Sequence, residues 1–249
     1  MIPKLPHRPR NSDAFEDERH LLGWLVARLT SRCRSELRFS NISAESAYIL
    51  DVVAPLLRAQ IAYGRAVYRL TAHDLSEAAY PITRSMLEVW AETAYLLENH
   101  PTVERAVKNQ AWTLLTLSSP PAKPSKAISF ALTGLRRRFP HEVQAVEGRH
   151  PKQRTRHHSG MGWKALVAHS CGEDVAELYG FLSWHTHAIA QVVADVQYEE
   201  APEWVRTRYK PARPDDLAAI DVCTFAVRAL HGSWDAFYAA YGHAGEPAR

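Results

Sequence analysis

Cysteine is scarce in this chain: Cys33, Cys171 and Cys223 are odd in number, far apart and without any C-x-x-C spacing. That excludes a disulfide framework or a thiolate zinc site, and it reads as reduced thiols in a cytoplasmic protein. Long apolar runs are lacking as well, since Arg, Glu or His interrupts every hydrophobic stretch, so no membrane span is expected. The opening Met1-Ile-Pro-Lys-Leu-Pro-His-Arg-Pro-Arg10 is basic and proline-rich with no apolar centre, unlike a secretory signal peptide. Alternating strand patterns of any useful length and internal repeats are missing too. Charge of one sign is not in excess. A net charge of +3 excludes a polyanion binder by overall composition.

What remains is ordinary for a globular domain, with 46% hydrophobic and 23% charged residues over 249 positions. The apolar residues fall at helical spacing almost everywhere, divided by prolines. The expectation is an all-α fold, a bundle of seven or eight helices. Residues 1–11 form a basic N-terminal tail, 12–241 one helical domain and 242–249 a C-terminal tail. Helices are expected over about 12–37, 43–70 with a kink at Pro55, and 74–99 with a break at Pro81. Others are expected over 101–118, 125–138, 163–169 and 214–241. The segment of about 173–198 carries two stripes. Val175, Leu178, Leu182, Ile189, Val193 and Val196 are large and apolar, while Ala176, Gly180, Ser183, His187, Ala190 and Ala194 run along a neighbouring face. Small residues let a second helix approach, which predicts that this helix lies at the bundle's centre.

Two polar ladders stand out. Tyr80, Arg84, Glu88 and Tyr95 share one azimuth on the third helix, opposite Ile82, Met86, Trp90 and Leu97. Tyr179, Ser183 and His187 step by one turn each on the later helix. Arg84 and Glu88 are a surface i, i+4 pair on the plain reading. On the functional one they form a polar seam with Tyr179, Ser183 and His187. Ser183 beside His187 suggests a nucleophile and base, but no strained nucleophile turn or third orienting acid accompanies them. No helix offers Glu-x-x-His, and His185-x-His187 puts its rings on different sides, so neither a metal nor another cofactor is expected.

Charge is uneven along the chain. From Gly134 to Lys164 the segment is +6, which leaves −3 elsewhere. Its loop, 148–162, contains Arg149, Lys152, Arg154, Arg156, His157 and His158, a local field suited to phosphate or nucleic acid. The same loop with no partner at all is the plain alternative, because no aromatic residue interleaves the cations; Trp163 directly follows.

Arg84-Ser-Met-Leu-Glu88, Trp163 after the basic loop, and Tyr179-Gly-Phe-Leu-Ser-Trp-His-Thr-His187 together resemble a widespread bacterial family of all-helical proteins, a domain of unknown function. The match spans roughly residues 45–200. More distantly the architecture is similar to HEPN domains, many of which are metal-independent ribonucleases of toxin or phage-defence systems. Their signature, an arginine followed four to six residues on by a histidine, is met at Arg136 and His141, with Pro140 between. The resemblance implies a helical fold and offers no established activity. The expectation is a bacterial cytoplasmic ligand-binding or interaction module, with stress or phage defence entering by analogy of fold alone and with a protein partner or a homodimer. The alternative is a ribonuclease in which His187 moves the proton and Arg84 stabilises the transition state.

Overall fold

The computed structural model describes residues 14–36, 42–73, 75–118, 125–148, 157–186 and 214–241. Among them are nine α-helices and no β-strand. They are α1 (Ala14–Glu36), α2 (Ala44–Thr71), α3 (Tyr80–Leu97), α4 (Val103–Leu117), α5 (Lys126–Arg138), α6 (Pro140–Glu147), α7 (Trp163–Cys171), α8 (Glu173–Thr186) and α9 (Pro214–Tyr241). None is long and apolar enough to cross a membrane.

Side-chain caps start three of them. Ser43, Thr102 and Ser125 each accept a hydrogen bond from the backbone N–H three residues on, at 3.1, 3.3 and 3.2 Å. Each satisfies one of the amides that a helix leaves free in its first turn. Helix α3 starts differently: a 3₁₀ turn over Glu77–Ala79 leads in, and Pro81 occupies the first turn, where its missing N–H costs nothing. The expected start near Asp74 with a break at Pro81 is therefore corrected to a start at Tyr80. Pro55 lies inside α2, at an exposed position.

Helix α6 raises the count above the seven or eight expected. Pro140 stands in its first turn and opens the helix. Arg136 and His141 consequently sit on different helices, and Arg136 pairs with Glu147 at 2.6 Å. The one-helix arrangement of a HEPN signature is not formed by these two residues.

Helix α3 holds the centre. It packs against α2, α7, α8 and α9, while the described part of α8 packs on α3 and α7. Among the described residues the central helix is α3, whose Thr83, Met86, Leu87, Ala91, Thr93 and Leu96 are buried; of the segment 173–198 expected at the centre, 187–198 lie outside the described residues. The reason lies in the glycines. A Cβ added at Gly180 would meet only Lys164, at 3.7 Å, so the small-residue stripe makes no close helix contact there. Close approach occurs at Gly64, where a Cβ would come within 2.8 Å of Leu230 and 3.0 Å of Val26, and at Gly232 against Trp90. These glycines draw α1, α2, α3 and α9 together.

The main core joins Leu22, Leu25, Val53, Leu57, Met86, Leu166, Leu182 and Leu230. A smaller one lies between α4, α5 and α6, made by Val107, Ala111, Leu132, Leu135, Val143 and Val146. Gln60 ties the larger core together: its amide Nε2 donates to Met86 O at 2.8 Å and Ser233 Oγ at 2.7 Å.

Candidate functional site

The polar face of α3 points toward α7, α8 and the turn that precedes α7. Arg84 and Glu88 pair at 3.2 Å on one turn. Tyr179 reaches across from α8: its hydroxyl accepts from Arg84 Nη2 at 3.0 Å and donates to Glu88 Oε1 at 2.8 Å. A phenol that accepts from a guanidinium and donates to a carboxylate fills both its roles. Burial, with the Glu88 charge beside it, pushes the Tyr179 hydroxyl above its ordinary range, so it stays protonated. Arg84 is raised: burial alone would lower it, and the Tyr179 and Glu88 contacts outweigh that.

Among the expected seam residues, Arg84, Glu88 and Tyr179 are therefore brought together. Ser183 lies one turn beyond Tyr179, and its buried hydroxyl has no hydrogen bond. His187 lies outside the described residues, as do Arg149, Lys152, Arg154 and Arg156.

His157 and His158, grouped on the sequence with the basic loop, are buried, at 2% and 4% exposure. They sit in a tight turn closed by His157 N–H to Met161 O at 2.8 Å and Gly160 N–H to His157 O at 2.8 Å; Gly160 takes φ 90°, a conformation that favours glycine. Both rings face Glu92, one turn past Glu88 and itself 6% exposed. His158 Nε2 is 3.1 Å from Glu92 Oε1. His157 Nε2 is 2.6 Å from Glu92 Oε2 but off the line a hydrogen bond needs, which leaves that nitrogen buried without one. The other nitrogen of His157 is engaged by Ser159 Oγ at 2.8 Å. Asn109 of α4 donates to Glu92 Oε1 as well.

Aromatic rings enclose the cluster. Tyr95 stands edge-on to His157 at 5.3 Å and to His158 at 5.6 Å, and Trp163 edge-on to His157 at 5.4 Å. Burial would push the Glu92 carboxyl up, but its contacts with His157 and His158 outweigh that and hold it at about 2. Burial pushes His158 down, toward the neutral form. The result is an ionised carboxylate between two imidazoles, with Tyr95 and Trp163 packed against the rings.

A groove of about 240 Å³ opens over it. Leu56 and Tyr63 of α2 form one wall, Asn109 and Thr113 of α4 the other. Glu88 and Glu92 line it from α3, and Trp163 of α7 closes its end. The chain matches no family model, no curated protein and no solved structure.

Sequence reasoning missed Glu92, Asn109 and the inward turn of the histidines. The available signal was Glu92 itself: it extends the ladder of Arg84 and Glu88 by another turn, onto the Tyr95 side. Consecutive histidines beside Ser-Gly-Met-Gly were the second signal, because small residues permit a turn that folds the rings inward. A Glu-x-x-His spacing places its ligands on a helix, whereas this cluster draws one residue from a helix and two from a turn.

Proposed function

We propose that this chain is a ligand-binding module whose site is the groove on α3, and that it takes a small ligand bearing positive charge. One observation carries the reading: a carboxylate, Glu92, lines an accessible groove, and among the described residues no Lys or Arg is ion-paired with it. The nearby Arg84 is neutralised by Glu88. His157 and His158 keep Glu92 ionised there, and an ionised carboxylate at the groove favours a cationic occupant. Tyr63 and Trp163 add aromatic faces, which attract cations electrostatically.

Thermal unfolding with agmatine and putrescine as probes tests this. A ligand that binds only the folded chain raises Tm with concentration, by about 2.7 kcal/mol of stability at a hundredfold excess over Kd. Thr113→Trp, at an exposed position on the groove wall, should abolish the rise while leaving the unliganded Tm near that of the wild type. No rise with either amine, or a rise that Thr113→Trp leaves untouched, sinks the reading. Stabilisation by a short RNA instead would favour the ribonuclease alternative.

A further inference from the structure

We infer that Glu92, His157 and His158 form a binding site for one divalent first-row transition-metal ion, Zn²⁺ or Fe²⁺ in character. The inference rests on the groove reading and names the cation more closely.

The ligand atoms are already gathered. One oxygen of Glu92 and one nitrogen from each histidine lie within 4.8 Å of one another, and all three residues are buried. Bonds of about 2.0–2.2 Å from a common centre place neighbouring ligand atoms roughly 3–3.5 Å apart. His158 Nε2 and Glu92 Oε1, at 3.1 Å, have that spacing. His157 Nε2 is closer to the carboxylate, 2.6 Å, and has no hydrogen bond there. An ion between them would open that contact by less than about 1 Å and give the orphaned nitrogen a partner. Two imidazoles and one carboxylate are the donor set of hydrolytic zinc sites and of non-haem iron sites.

The surroundings match what metal ligands need. A ligating histidine donates its other ring N–H, and Ser159 Oγ lies 2.8 Å from His157 Nδ1, placed to accept it. A ligating carboxylate is itself hydrogen-bonded, and Asn109 does this for Glu92. Tyr95 and Trp163 pack edge-on against the His157 ring and fix its position. The groove over Glu92 leaves a direction from which a further ligand can reach the ion.

Three protein ligands leave the net local charge at +1 with a divalent ion bound, assuming both histidines stay neutral. Binding should therefore hold the turn at 157–161 against α3 and stabilise the whole chain. The cysteines lie elsewhere: none belongs to the cluster.

Purified chain, freed of metal with a chelator and then titrated with Co²⁺ and Zn²⁺, provides the test. The expected result is one equivalent of ion per chain, a higher Tm, and visible d–d absorption from Co²⁺ without a thiolate charge-transfer band. Glu92→Gln, His157→Gln and His158→Gln should each weaken affinity by about 100-fold or more, beyond the loss typical of outer-shell changes. His169→Ala, which removes an exposed His–Glu98 pair, should leave it unchanged. If the site variants fail to fold, the wild-type spectrum and stoichiometry still decide. No ion retained, a thiolate band, or an affinity that survives Glu92→Gln in a folded protein overturns the assignment. Stabilisation by agmatine that Thr113→Trp abolishes, with no metal uptake, overturns the metal and leaves the groove reading standing. Absence of both effects removes both.

Discussion

Gln60 shows how a buried polar side chain can hold helices together and still add little stability. Its amide nitrogen reaches α3 and α9, but its Oε1 is buried without a partner. An unmatched buried acceptor costs about 1–3 kcal/mol, comparable to what the donated bonds contribute. Gln60→Met keeps the volume and removes both, while Ser233 keeps its own bond to Ala229 O at 2.8 Å. Urea unfolding should change by less than about 1 kcal/mol; a loss several times larger would show that the network is indispensable. Cys171 offers a second check at this scale. Burial, with Asp174 beside it, pushes its thiol up to about 12. At pH 8 about one molecule in ten thousand carries the thiolate, so alkylation by iodoacetamide should be very slow and should still be accelerating at pH 10. A plateau below pH 9, read by mass spectrometry of the Cys171 peptide, would contradict this.

Helices repeat the lesson with glycine. Gly64→Val places atoms where Leu230 and Val26 already stand, which should cost about 1–3 kcal/mol. Gly180→Ala meets only the flexible end of Lys164, and alanine suits a helix interior better by about 0.5–1 kcal/mol, so Tm should hold or rise. Equal losses at both positions would mean that a helix packs on Gly180 as closely as on Gly64. Most helix limits were legible in the sequence because caps and prolines act locally: Ser43, Ser125 and Pro214 stand where expected, and Thr102 caps α4 one residue past the expected start at Pro101. The pairing of Arg84 and Glu88 was legible for the same reason, being one turn apart. Which helix is central was not, because small residues permit close packing without requiring it, and only the partner's shape decides. The inward turn of His157 and His158 escaped because their cationic neighbours dominate that stretch, whereas burial depends on Glu92, more than sixty residues earlier.

Across the whole molecule, two cores of unequal size share one frame. Helices α5 and α6 pack on α4 and on each other around Val143 and Leu132. Tyr48 of α2 also meets Phe139, with ring centroids at 5.4 Å, and carries the Arg138 guanidinium over its face. A small core opens more readily than a large one. Amide exchange should therefore be faster over 126–147 than over buried α3, and Val143→Ala should speed it in that segment with little change at Met86 or Leu87. Uniform acceleration through α3 would mean that both cores unfold as one unit.

The groove has one wall from α2, in the larger core, and the other from α4, which bears the smaller. Whatever fills it bridges a seam between two parts of unequal firmness. An occupant that touches both walls must resist their separation, and by reciprocity anything that loosens α4 to α6 must weaken the occupant's hold by the same factor. Substitutions at Val143, which packs in the smaller core and does not line the groove, would then tune affinity without touching the ligand. The small core becomes a remote control on the site, and ligand-induced protection of residues 126–147 is its signature.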